Sequence, residues 1–547
     1  FCASAAHGYG QVVVHSEAAT AYPPSGIFVE TPASIRELVN ANFCTGINNH
    51  WMHVFLHQPW QRAEPGLTWS WGLQFQRNNT WFEKLGGWSA YVARSQYLLR
   101  QGLPVVDIVC FIGEAVPTAA GPSGSVKELN SLPAGIDYDV CNAEIILTRM
   151  SVKNGRIVLP DGMSYALLYV PPKVEAMRPE VLRKIRDLVR DGATVVGNRP
   201  TASPSLQNYP ACDAEVKHLA DEIWDGKIGR VYPANALKRA ISDLGLVEDF
   251  SFTSANSDAL IEYYHRRTAD ADIYFVANRR AVAVEAACTF RVDGRLPELW
   301  HPDTGRIEPA GAYEIKNGRT TLPLRFDPHD AMFVVFRKPA SEQVMRGKDW
   351  LELKPVQEVT GPWQVRFDPK RGGSSEPVTF EKLQDWSKHD DPGIRYYSGA
   401  ATYLCRFQIA NRKPQIFLDL GEVREVAEVK VNGTNLGILW KTPSRVDITE
   451  AVRTGENALE IEVVNLWVNR MIGDERMYPD DIEWIPQAMG EWKGFGMKRL
   501  PDWFADWDAG RGKRPTGRIV FSTTKFFSAK DALVPSGLIG PVKLLSD

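Results

Sequence analysis

No stretch of about eighteen apolar residues occurs in this 547-residue chain, so nothing in it reads as a membrane-spanning helix. Neither sign of charge prevails: 63 basic residues stand interleaved with 66 acidic ones, for a net charge of −3. A chain with no basic face advertises no site for nucleic acid or for an anionic membrane. Cysteine is sparse and unpatterned. Cys2, Cys44, Cys110, Cys141, Cys212, Cys288 and Cys405 are odd in number and show no Cys-x-x-Cys spacing. They read as small buried hydrophobes rather than as a disulfide framework or a zinc site. An initiating methionine and a signal-peptide pattern are also missing. Phe1 to His7 read as the last turn of a helix closed by Gly8 and Gly10, so the expectation is a piece of a longer protein that begins inside a domain.

Tryptophan, by contrast, is plentiful. Of 17, six (Trp51, Trp60, Trp69, Trp71, Trp81, Trp88) fall within residues 51–88, dense for a mere core. The chain is too long for one core and should hold three or four domains. Residues 12–17 (Val-Val-Val-His-Ser-Glu) read as a short strand ending at Glu17, and Trp51 to Leu56 as a second one delivering His57-Gln58-Pro59-Trp60. The helical stretch between them makes a βαβ unit. With a helix expected over Trp81 to Arg100, residues 1–100 read as the C-terminal part of a (β/α)8 barrel whose other units lie upstream.

Residues 101–265 alternate strands (Val105 to Phe111, Ala166 to Val170, Thr194 to Gly197) with an amphipathic helix over Pro179 to Arg190, which predicts a small flavodoxin-like α/β domain. This stretch has no Gly-x-Gly-x-x-Gly, so a nucleotide site there has no support, and a structural or oligomer-contact role is expected. Its loop Pro117 to Ser125 is rich in Gly, Pro and Ser. Residues 266–340 read as a small β-sandwich, followed by a charged linker from Lys338 to Lys348. Residues 349–547 alternate as in a jelly-roll β-sandwich: Leu459, Ile461 and Val463 interleave with Glu460 and Glu462, and Asn432-Gly433 marks a hairpin.

In barrel folds chemistry sits at the C-terminal strand ends, where Glu17 and His57 are expected. A strand-end carboxylate beside tryptophan faces suits glycoside hydrolysis, in which a carboxyl group works as acid or base while indoles stack on the sugar. His53 and His57, four apart on one expected strand, would share a face. His57 and Trp60 are candidates to touch sugar, His53 and His7 weaker ones; core packing is the alternative for Trp60, Trp69 and Trp71. Asp474, Glu475, Asp480 and Asp481 form an acidic run that could hold calcium, or simply be a solvated loop.

Several stretches carry a family resemblance. Tyr396-Tyr397-Ser398-Gly399, Leu418 to Val423, Val431-Asn432-Gly433 and Trp440 are similar to the galactose-binding-like domain of glycoside hydrolase family 2. Asn465 to Glu475, Pro535 to Val542, Ala5 to Gly10 with Ser16-Glu17-Ala18, His57 to Trp60 and Phe75 to Trp81 together resemble glycoside hydrolase family 106, the α-L-rhamnosidases. That resemblance covers essentially the whole chain and implies an inverting, calcium-assisted glycosidase acting on terminal rhamnosyl residues of plant-type glycans or glycosides. It implies Glu17 as one of two catalytic carboxylates, the general base, with the second lying upstream, so that the fragment alone has little activity. Calcium is the one cofactor implied and a rhamnosylated carbohydrate the partner, with neither nucleic acid nor membrane; the oligomeric state is open, and an extracellular or periplasmic setting is expected. Two alternatives stay open: another exo-glycosidase such as a retaining β-galactosidase, with Glu17 as nucleophile, and a non-catalytic carbohydrate-binding protein.

Overall fold

The computed structural model describes residues 1–18, 20, 27–69, 71–115, 126, 129–130, 132, 135–340, 347–411, 413–489 and 492–547. The loop Pro117 to Ser125 and most of the linker Lys338 to Lys348 lie outside them. The chain forms two compact units. The first holds residues 1–16, 40–49 and 94–349; the second holds residues 17–39, 50–93 and 350–547. No helix among the described residues is long and apolar enough to cross a membrane.

The first unit begins with a five-stranded parallel sheet. Its order is Tyr138–Cys141, Ile108–Phe111, Leu167–Tyr169, Thr194–Val196, Arg230–Tyr232, which is the 2-1-3-4-5 order of a doubly wound fold. Apolar residues fill both faces of the central strands Ile108–Phe111 and Leu167–Tyr169 because both faces are covered. Val109, Phe111, Leu168 and Val195 pack with Val181, Leu182, Ile185 and Val216 from the helices Pro179–Arg190 and Ala211–Trp224. Ile108, Cys110, Leu167 and Val196 face the other way, onto Leu237, Ala240 and Ile241.

A β-sandwich follows. A four-stranded sheet (Phe250–Thr253, Val284–Phe290, Arg319–Phe326, Glu314–Lys316) shares one apolar core with a six-stranded sheet that runs from Ile307–Pro309 to Leu103–Pro104. Along Arg319–Phe326 every second residue is buried, the signature of a sheet covered on one face. The expected boundary at residues 265/266 falls inside the strand Ile261–Arg267, which pairs with Asp272–Asn278, so the sandwich starts earlier than the sequence pattern suggested. Leu103–Pro104 also joins it, against Arg266 and Arg267.

In the second unit, a six-stranded antiparallel sheet (Val378–Phe380, Trp363–Phe367, Ala400–Ile409, Gly455–Val464, Val426–Val431, Thr434–Leu439) faces a four-stranded one (Lys354–Glu358, Lys543–Ser546, Phe417–Asp419, Arg445–Asp447) over a common core. Asn432 and Gly433 turn its hairpin with φ of 51° and 83°, as a two-residue turn requires. Residues 50–93 pack onto this module. Trp88 and Tyr91 place their rings 5.2 and 5.5 Å from that of Trp440, Lys84 pairs with Glu428 and Glu462, and the Trp467 indole donates to the Asn78 carbonyl at 2.8 Å.

The two strands expected around Glu17 and His57 are shifted. The first is His15–Ala18 and the second Asn49–Met52, together a two-stranded sheet. Val12 to Val14 do not extend the first strand because the Asn48 side chain takes a strand's place: its Oδ1 accepts from Val14 N at 2.9 Å and its Nδ2 donates to Val12 O at 2.8 Å. The second strand ends before His53, whose carbonyl accepts instead from Leu73 N, while Val54 O accepts from Phe75 N. His53 and His57 therefore do not share a strand face, which corrects the expectation from their even spacing. The expected helix from Trp81 opens as a single turn at Phe82–Lys84 and continues as Gly86–Leu99.

Within the first unit one buried charge network joins the parallel sheet to the sandwich. His265 Nδ1 lies 3.0 Å from Asp249 and its Nε2 3.0 Å from Asp272, and Arg291 bridges Asp249 and Asp107 at 3.0 and 3.1 Å. Burial alone would lower the His265 pKa, but Asp249 and Asp272 outweigh it and hold it above the ordinary value. A histidine raised in the fold contributes stability that is complete below about 6.5, its unfolded value, and is lost as pH rises through the folded value. The melting transition of this unit should therefore fall as pH increases above neutrality, and His265→Gln should flatten that dependence. A wild-type transition that is level across this window would remove the imidazolium from the account.

Candidate active site

A loop with little regular structure must satisfy its backbone by other means, and the described residues of 58–79, apart from the short strand Pro65–Gly66, do so largely with buried side-chain amides. The Gln58 amide donates to Leu67 O at 2.6 Å and accepts from Leu67 N at 3.0 Å. Asn78 Nδ2 donates to Ala63 O at 3.0 Å, and Gln74 Nε2 to the carbonyls of Trp69 and Trp71 at 3.0 and 3.1 Å. Gly66, at φ 84°, lies so close to the Gln58 amide that a Cβ there would come within 2.4 Å of its oxygen. These amides hold the loop that presents Trp60 and Trp69.

Trp60 is half-buried, its indole braced edge-on by Phe504 at 5.0 Å and Phe521 at 5.6 Å between ring centres. The loop is zipped to the segment that carries Phe521: Phe521 N donates to Glu64 O at 2.7 Å, Thr523 N to Gly66 O at 3.2 Å, and Thr68 N to Thr523 Oγ1 at 3.0 Å. Between them opens a cavity of about 620 Å³ lined by Trp60, Thr68, Trp69, Gln487, Ala488, Met497, Arg499, Leu500, Thr523 and Thr524. Trp60 and Trp69 were foreseen as sugar-stacking candidates. Gln487, Arg499, Thr523 and Thr524 were not; they lie more than 400 residues along the chain from Trp60, and no spacing rule connects them.

What fixes the 519–525 segment is a buried acid. Asp474 and Glu475 sit on the helix Val468–Met477, buried, rather than in a solvated loop. Asp474 Oδ2 accepts from Ile519 N at 2.9 Å and Val520 N at 2.7 Å. Burial raises the Asp474 pKa, and Arg470 and these amides oppose it. Glu475 pairs with Arg518 at 2.5 Å and with Lys525, while Asp481 lies 3.6 Å from Arg514. Arg514 stacks on Trp503 and Trp507, and burial lowers its pKa to about 10. Calcium does not fit this acidic run: Asp474, Glu475 and Asp481 face Arg470, Arg514, Arg518 and Lys525, so a dication would meet cations. No group of three or more potential metal ligands occurs among the described residues.

The remaining candidates are dispersed. Glu17 is exposed near the end of its strand and accepts a hydrogen bond from Thr20 Oγ1 at 3.0 Å. His57 is exposed. His53 is half-buried against Gly72, and its Nδ1 has no hydrogen-bond partner among the described residues. None of these three lines the cavity. His7 is buried in the first unit, with Nδ1 2.9 Å from Asp139 and Nε2 3.1 Å from the Tyr264 hydroxyl. Both ring nitrogens are thus engaged inside the fold, and neither is left for a sugar hydroxyl.

The family model described as alpha-L-rhamnosidase, glycoside hydrolase family 106, matches residues 1–315. A solved rhamnosidase structure from Novosphingobium sp. PP1Y matches 99% of this chain with a TM-score of 0.85 and 33% identity. A Formosa agariphila protein that bears a provisional beta-glucuronidase name is 29% identical over the whole chain. The chain spans 64% of that relative and 48% of the solved rhamnosidase.

If Asp474 anchors the cavity wall, Asp474→Ala should destabilise the second unit by about 3–5 kcal/mol, the usual cost of stranding buried cations. Hydrogen exchange at the Ile519 and Val520 amides should accelerate most. Unchanged protection there would mean that the wall is held by Arg514 and the zipped loop alone.

Proposed function

The chain belongs to glycoside hydrolase family 106, the alpha-L-rhamnosidases, and on that premise we propose that it is part of an inverting α-L-rhamnosidase acting on terminal rhamnosyl residues of plant-type glycans or glycosides. The observation that carries the reading is the 0.85 TM-score over 99% of the chain to a solved rhamnosidase, joined to the family match over residues 1–315. In the same reading, the first hundred residues are the end of a (β/α)8 barrel and residues 349–547 a jelly roll of the galactose-binding type. The two packed antiparallel sheets of the second unit support the latter.

Inversion needs two carboxyl groups about 6.5–9.5 Å apart, with room for a water between one of them and the anomeric carbon. Glu17 is the general base in this proposal. Its carboxylate takes a proton from that water as the water oxygen bonds to the anomeric carbon. The glycosidic bond breaks, and the second carboxyl group gives its proton to the departing oxygen. We place that second group in the part of the longer protein beyond these 547 residues, consistent with a chain that spans 48% of the solved rhamnosidase. His57, exposed beside the loop, is the proposed hydroxyl contact, and Trp60 offers a braced apolar face to a sugar ring. No step is routed through calcium.

A second reading has one specific support, the beta-glucuronidase name of the Formosa relative. There Glu17 would be the nucleophile of a retaining exo-glycosidase. Both readings make Glu17 indispensable, whereas a purely carbohydrate-binding protein does not. Glu17→Gln in the complete enzyme should lower kcat on an aryl α-L-rhamnoside by about 10²–10⁴-fold with the fold intact, the usual contribution of a positioned base. A variant within about threefold of the parent, far short of that range, takes Glu17 out of the mechanism.

A further inference from the structure

The cavity beside Trp60 carries a chemistry that a rhamnosyl unit does not call for. Its volume, about 620 Å³, lies within the range of small-molecule sites, about 300–1,000 Å³. Two indoles line it: Trp60, braced from behind by Phe504 and Phe521, and Trp69, 42% exposed. Thr68, Thr523, Thr524 and Gln487 add hydroxyl and amide groups. The Gln487 amide lies flat on Gly496, where a Cβ would come within 2.1 Å of it, so that strand position leaves the amide its place.

Among the lining residues one is charged, Arg499, and none is a carboxylate. Arg499 Nη1 lies 3.3 Å from Asp502 Oδ1, and the two side chains are 70% and 86% exposed. A solvated pair of this kind is worth little, and a guanidinium has five donors, so Arg499 keeps N–H groups for another anion. An acid–base step needs a carboxylate near the reacting bond, and none lines this cavity among the described residues, so the role argued for it is binding. Rhamnose, a 6-deoxy hexose, has neither a charge nor a 6-hydroxyl to engage a cation. A uronic acid has both an apolar C–H face for an indole and a planar carboxylate that a guanidinium grips with two parallel hydrogen bonds.

We propose that this cavity is a non-catalytic subsite for an acidic sugar, a uronate unit of the glycan from which the rhamnosyl group is removed. The inference rests on the reading of the protein as a glycan hydrolase, but its test does not use hydrolysis. The 547-residue chain is titrated by calorimetry and ligand-observed NMR with digalacturonate and with the uncharged digalactose of the same linkage. The acidic disaccharide should bind about tenfold more tightly at low ionic strength, and that preference should shrink as salt screens the exposed cation.

Arg499→Gln, at an exposed position that does not threaten folding, should abolish the preference. Trp69→Ala should weaken both ligands by about tenfold, the scale of one lost aromatic stacking face. Equal binding of the two disaccharides, or a preference that survives Arg499→Gln, overturns the proposal. Because catalysis plays no part, either result leaves the role of Glu17 untouched. Conversely, an active Glu17→Gln enzyme would take Glu17 out of the mechanism without altering these affinities.

Discussion

A single buried carboxylate, Asp474, organises the part of the molecule where aromatic and polar groups converge. One of its oxygens receives the amides of Ile519 and Val520, and the next residue along, Phe521, braces Trp60. Thr523 and Thr524, two and three residues further, line the cavity. Removing a charge from water is expensive, and a buried carboxylate is tolerated only where cations and N–H donors converge on it. Arg470, Arg514 and Arg518 provide that convergence, and Arg514 also donates to the carbonyls of Ile519 and Val520 at 3.0 and 2.8 Å. The same charges thus fix the backbone segment and exclude a metal from the acidic run.

Much of the framework was legible because local rules and tertiary burial agree there. The helix Pro179–Arg190 was readable from Val181, Leu182, Ile185, Leu188 and Val189, all of which are buried against the parallel sheet. Asn432-Gly433 was readable because positive φ at both turn residues admits few others. Where the reading slipped, a polar side chain had replaced backbone pairing. Asn48 stands in for a strand beside Val12 to Val14, and the loop at Leu73 and Phe75 takes over the pairing expected of His53 and Val54. Periodicity registers apolar positions, and it is blind to an amide that mimics a peptide group.

The site was legible only in part, for a related reason. Trp60 and Trp69 stood out by local density. The groups that share their cavity come from residues 487–524, and their relation to residues 60–69 is a matter of tertiary packing alone. The acidic run was misread for the same reason. The cations that neutralise Asp474 and Glu475 include Arg518 and Lys525, more than forty residues on, so in sequence the run resembles a solvated loop. The role proposed for Glu17, an exposed carboxylate near the end of its strand, rests on the family resemblance and not on periodicity.

The central claim is stereochemical: a water activated by Glu17 attacks the anomeric carbon directly, with no covalent intermediate. Proton NMR of the complete enzyme acting on an aryl α-L-rhamnoside, recorded within the first turnovers, reads this outcome. The account predicts that β-L-rhamnose appears first and the α-anomer only later, by mutarotation. If α-L-rhamnose is the first product, Glu17 belongs to a double-displacement mechanism and the inverting assignment is wrong.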